Sequence, residues 1–323
     1  MHRAFAAVCL FAPLALAAEP MLIVVHKSAS SVGFYTAEGA HESDVPVGRH
    51  PHEVALDAGN RLAYITDNGT MWIEDPGEGG NSVSIVDLSG RRKAGVISLG
   101  GYRRPHGIAL DRASGLLAVT TEFPDRLILI DTRTRAIRRT YDVRGKTPHI
   151  VTFGPGARYA YVSNALSHTV AAIELETGRT AAIPVGRRPE GSVLSEDGQH
   201  LYVVNRDSNE ITIIDTAKNA AVGRIATGEW PVRIARLPGG TLACAVRRGK
   251  AVEFADPAAR KVIARVPLDA EPISANASAD GRVVLASAQE KDTVYVISAD
   301  ERKIVRVIRT RQGAAPDPAL LLN

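Results

Sequence analysis

Cysteine is nearly absent: the 323 residues hold two, Cys9 and Cys244. Cys9 falls in an N-terminal run that is expected to be removed. The one thiol left cannot pair within the chain, so no disulfide framework holds the fold and a large apolar core must do so. Cys244 sits in the apolar stretch "TLACAVR" and reads as a buried, inert thiol. Aromatic residues make up 5% of the chain, which argues against a groove for single-stranded nucleic acid, where aromatics alternate with basic residues. The formal net charge of +4 is a mild excess that calls for no polyanionic partner. Past residue 18 no run is long and apolar enough to cross a bilayer, and no long segment has helical periodicity. HExxH, Cys/His zinc spacings, EF-hand and Walker loops and the GxSxG elbow are all missing. Any chemistry must come from residues that the fold gathers from distant places.

Residues 1–18 carry Arg3, then the apolar run "AFAAVCLFAPLALAA" closing on Ala15-Leu16-Ala17. This pattern predicts a secretory signal peptide cleaved near Ala17 or Ala18. Cys9 precedes most of the apolar run, which argues against cleavage at that cysteine. A single domain over 19–323 is expected to remain, soluble and periplasmic or secreted.

What the chain does have is repetition. "GRHPHEVALD" at 48–57 returns as "YRRPHGIALD" at 102–111, "RGKTPHIVTF" at 144–153 and "GRRPEGSVLS" at 186–195. Pro51, Pro105, Pro148, Pro189, Pro231 and Pro272 recur, mostly about 41–44 residues apart. The first interval is longer because a Gly- and acid-rich insertion at 72–81 interrupts it. Each proline opens an alternating apolar run. A second β-rich run follows ("LAYIT", "LLAVT", "YAYVS", "LYVVN"), then a third that usually ends in an acid, then a shorter fourth. Four strands per period describe a β-propeller blade. "LIVVHK" at 22–27 resembles the second strand "LYVVNR", and "GAAPDPALLL" at 313–322 resembles the first strand "GEWPVRIARL". The fold class is therefore all-β: a seven-bladed propeller of four-stranded blades, with the two chain ends completing one blade and leaving no exposed sheet edge.

The stretch "VGRRPEGSVLSEDGQHLYVVNRDSNEITIID" at 185–215 resembles the bacterial YVTN-repeat family, within the quinoprotein-like and cytochrome-d1-haem-domain-like propellers. The resemblance covers nearly all of the mature chain and implies the fold. For chemistry it implies only a range: related propellers bind haems, metals or nucleic acid, and some are lactonases or lyases.

In a propeller, the loop into the first strand and the loop out of the second share one face. The residues after the repeat proline should ring the channel mouth there. They are His52, His106, His149, Glu190, Val232, Ile273 and Asp317. A wider ring is expected at the ends of the second strands: His26, Asp67, Thr121, Asn164, Asn205, Arg247 and Ala288, with His50 and Glu122 nearby. Adjacent blades of a seven-fold ring are about 51° apart. Three histidines could then converge beside Glu190, a donor set suited to one copper, zinc or iron ion. The competing reading is a solvated ring in which these side chains bond to loops and channel water. The same face is basic. Arg104, Arg188, Arg233 and Arg247 are candidates to bind an anionic ligand, with Trp230, Asn164 and Asn205 beside them. The acids closing the third strands (Asp87, Asp131, Asp215, Asp256) recur in almost every blade, as turn caps do.

The sequence accordingly favours an exported binding or scaffold protein with a basic, His-lined channel mouth. It would act as a monomer on a small anion or an acidic partner protein, and not on nucleic acid. The first alternative is a metal-dependent enzyme or metal-handling protein centred on His52, His106 and His149 with one transition-metal ion as cofactor. The second is a propeller lactonase or lyase.

Overall fold

The computed structural model describes residues 21–322. The expected signal peptide and its cleavage site lie outside the described residues.

Seven antiparallel four-stranded sheets follow one another around a ring. Blade one spans 51–98, blade two 103–142, blade three 148–184, blade four 189–226, blade five 231–267 and blade six 276–309. Blade seven is built from both ends: Pro316–Leu322 pairs antiparallel with Met21–His26, as Leu22↔Leu321 and Val24↔Ala319 show. The first strands of successive blades pack against each other all the way round, from blade seven back to blade one. Closure gives the composite blade the inner strand that the other six have. No described helix is long and apolar enough to cross a membrane.

Apolar alternation places the core between the blades. Blades one and two share Val83, Ile85, Leu117 and Ile128, and blades five and six share Val252, Phe254, Val284 and Tyr295. Cys244 is fully buried in the cluster between blades four and five, as expected. Blade six departs from the pattern. Its innermost ladder is reduced to Asn276–Ala277, and Pro272 to Ala275 run irregularly beside it.

The repeated basic-then-proline phrase has a structural cause. The residue before the proline is left-handed in six repeats: His50, Arg104, Thr147, Arg188, Trp230 and Ala315 have φ between 45° and 58°. Such a backbone costs on the order of 1 kcal/mol per residue, and paired hydrogen bonds hold it. The carbonyls of Thr147, Arg188, Trp230 and Ala315 accept from the N–H groups of Ala165, Arg206, Arg247 and Lys27 at 2.7–3.1 Å. Their own N–H groups donate to side chains of the preceding blade: Asp125, His168, Asn209 and Asp292. Each phrase thus clasps one blade to the next.

Candidate metal centre and basic channel mouth

The inner strands shift register just after the proline, between Pro51 and Val54, Pro105 and Ile108, Pro148 and Val151, and Pro189 and Ser192. A bulge of this kind turns one side chain away from the regular alternation. It turns His52, His106 and His149 toward the axis, where all three are buried. Neighbouring blades fix their backbones. Thr66 donates to the His106 carbonyl at 2.8 Å, and Thr120 to the His149 carbonyl at 2.6 Å. Gly107 makes the close approach possible, because a Cβ there would stand 2.3 Å from the His149 carbonyl oxygen.

The rings of His52 and His106 lie 4.1 Å apart between centroids, and those of His106 and His149 4.0 Å. Each histidine offers a ligand nitrogen, and the three lie within 4.8 Å of one another. Carboxylates orient two of the rings. His52 Nδ1 is 2.8 Å from Asp317 Oδ2, and His106 Nδ1 is 2.9 Å from Glu122 Oε1. Among the described residues, buried His106 Nε2 and His149 Nδ1 have no hydrogen-bond partner. Burial holds His52 and His149 well below the ordinary imidazole range, with the Lys27 charge adding to the effect at His52. Both rings are therefore neutral at neutral pH, the form that ligates metal.

These histidines border a cavity of about 60 Å³ at the channel mouth, which five basic side chains (Lys27, Arg188, Arg206, Arg233, Arg247) line against three carboxylates (Glu74, Glu122, Glu190). Lys27 is 3% exposed, and burial lowers its pKa against the pull of Asp317, 3.5 Å away. Glu190 does not join the histidine group. Its carboxylate faces Arg206 at 3.3 Å, Arg188 at 3.6 Å and Arg233 at 3.8 Å, and burial raises its pKa even so.

The insertion forms a roof. Residues 68–81 leave blade one, cross the mouth as a strap and return; Met71, Trp72, Ile73 and Glu74 line the cavity. At the base the two arms nearly touch: Gly69 has φ +85°, and a Cβ there would stand 2.0 Å from the Gly80 nitrogen. Three other blades hold the strap. Buried Arg104 donates to the carbonyls of Ile73 (3.0 Å), Asp75 (2.5 Å) and Gly77 (2.7 Å). Arg188 pairs with Glu74 at 2.6 Å, and Arg247 lies 5.0 Å over the Trp72 ring.

Of the expected ligand-binding residues, Arg188, Arg233 and Arg247 line the cavity, with Arg233 paired to Glu53 and Arg247 to Glu271. Arg104 faces the strap. Trp230 lies outside the lining, stacked with Arg248 at 3.5 Å and Arg206 at 4.5 Å. Asn164 and Asn205 turn into their own blades, bonding Thr169 and Thr212. The wider ring is displaced by one residue. His26 bonds Ser31 and Tyr35, and Asp67 bonds Ser82 and Ser84; Lys27, Asn68, Glu122 and Arg206, each one position later, reach the cavity. Side-chain direction alternates along a strand, so a step of one reverses it. Lys27 and Arg206 were not singled out from sequence. Their signal is the position two residues past the last apolar residue of the second strand.

A model of the cytochrome D1 heme domain family matches residues 196–319. A comparison with curated proteins finds no match. Among solved structures, the periplasmic gluconolactonase PpgL of Pseudomonas aeruginosa superposes with a TM-score of 0.76 at 15% identity, over 94% of this chain and 99% of that one. Hydrazine synthase of Kuenenia stuttgartiensis gives a TM-score of 0.73 at 20% identity, over 86% and 92%. The dihydro-heme d1 dehydrogenase NirN in complex with DHE gives 0.67 at 16%, over 93% and 68%. Likeness at these identities is likeness of fold. The chain is a seven-bladed β-propeller, and over residues 196–319 its sequence is similar to the cytochrome D1 heme domain.

Proposed function

We propose that the protein binds one transition-metal ion on His52, His106 and His149 and that the arginines of the channel mouth bring a small anionic ligand to it. One observation carries this reading: three buried imidazoles from three adjacent blades with ligand nitrogens within 4.8 Å. Ligands of a tetrahedral ion at about 2.1 Å stand roughly 3.4 Å apart, so small ring movements complete the set. The orphaned His106 Nε2 and His149 Nδ1 fit a missing partner. The carboxylates on His52 and His106 match the outer hydrogen bonds that orient metal-binding imidazoles.

Three protein ligands leave a coordination position open, the arrangement of catalytic rather than structural sites. A bound ion would supply Lewis-acid chemistry to a ligand atom placed there. Arg188, Arg206 and Arg233 lie along the same cavity and favour anions. Glu190 is left to offset these arginines.

Haem is a poor fit. The room beside the histidines suits a few atoms rather than a tetrapyrrole, and Met71 to Glu74 line it from the strap. No step is assigned to such a group.

The test is elemental analysis of protein purified without a histidine tag and then reconstituted with copper, zinc or iron. One equivalent of metal is expected, lost in His106→Ala and in His149→Ala with the fold intact by circular dichroism. Failure of every metal to bind would leave a metal-free anion-binding propeller.

A further inference from the structure

We propose that Arg188 and Arg206 form a recognition site for a compact carboxylate ligand, and that Glu74 on the strap holds this site until the ligand displaces it. The proposal names the ligand class of the site described above, and it rests on the metal reading only for what lies beside the carboxylate.

The Glu74–Arg188 pair is unequal. Arg188 Nη2 lies 2.6 Å from Glu74 Oε1, yet the Arg188 side chain is 13% exposed and the Glu74 side chain 65%. Both side chains line the cavity, the arginine as buried wall and the carboxylate from the solvent-exposed strap. Arg188 Nε is buried without a hydrogen-bond partner among the described residues, and Glu190 Oε1 lies 3.6 Å from it. A guanidinium is suited to two parallel bonds to one carboxylate; Glu74 is bonded through Nη2, and Nε makes no hydrogen bond among the described residues.

Arg206 is the second fixed cation. Glu190 at 3.3 Å and Asp207 at 3.0 Å flank it, and it packs 4.5 Å from the Trp230 ring. Releasing Glu74 need not unfold the strap, because Arg104 and Arg247 hold it independently. An ion pair with one partner in water is weak, so a carboxylate that took two N–H groups of Arg188 together would replace Glu74 readily. Size narrows the class. The cavity of about 60 Å³ holds on the order of four to six water positions beneath the closed strap, enough for a ligand of a few heavy atoms.

Calorimetric titration of the full mature chain with sodium acetate, against sodium chloride at equal ionic strength, tests this. Acetate is expected to bind the wild type, to bind Glu74→Gln about three- to tenfold more tightly, and to be lost in Arg188→Gln. His106→Ala, which removes the metal centre, should still bind acetate, so the two readings fail separately. Equal affinity in wild type and Glu74→Gln, unchanged binding in Arg188→Gln, or equal competition by chloride would overturn the proposal.

Discussion

Asp317 Oδ2 lies 2.8 Å from His52 Nδ1, although 265 residues separate the two. The same oxygen faces the buried Lys27 ammonium at 3.5 Å and accepts from Gln289 at 3.3 Å. One carboxylate from the closing strand therefore serves a histidine of blade one and a lysine of blade seven together.

Asp317→Ala should leave Lys27 buried without its counter-charge and cost about 3–5 kcal/mol of stability. Denaturant unfolding measures the loss. The double variant Lys27→Met/Asp317→Ala should recover most of it; no recovery would show that the pair is not the source.

Glu122→Gln keeps the shape of the side chain that orients His106 and removes its charge. Metal affinity should fall about 10–100-fold, read by competition with a chelator. The fold and the strap should persist, because Arg104 also bonds three strap carbonyls. Unchanged affinity would separate His106 from the metal.

Burial, opposed by the Asp44 charge, lowers the His26 pKa from 6.5 to about 4. Between these values the unfolded chain binds a proton at this residue that the folded chain refuses. Its contribution is complete above pH 6.5 and is lost as pH falls toward 4, up to about 3 kcal/mol. In urea unfolding from pH 7 to pH 4, His26→Gln should therefore show a shallower loss than the wild type. Parallel curves would exclude His26 as a source.

Cys244 is fully buried, and burial raises its thiol pKa. A thiol reagent such as Ellman's should label it only once the protein is unfolded. Rapid labelling under native conditions would contradict the packing of blades four and five.

The repeat made the fold legible. Period, strand count and the matching ends are local features that need no tertiary knowledge, and they yield seven blades with one composite. The proline phrase also located the histidines, because the same bulge recurs after Pro51, Pro105 and Pro148. The wider ring was harder to read. His26, Asp67, Asn164 and Asn205 end their strands but point into the blade, and the next residue faces the mouth. Arg247 reaches the cavity because it already stands one place later, beyond Val246. The strap was legible only as an interruption. What it does depends on Arg104, Arg188 and Arg247 meeting it across the ring, and no local pattern encodes such a meeting.

Ring closure also sets the order in which the channel mouth can be assembled. Synthesis makes the outer three strands of the composite blade first among the described residues, and their innermost partner, Pro316–Leu322, last. Until that partner docks, Asp317 cannot reach His52 and the channel has a gap in its wall. Six blades can form before Pro316–Leu322 docks, but the Asp317–His52 contact cannot, so removing that strand should open the ring at blade seven and leave Lys27 without its carboxylate.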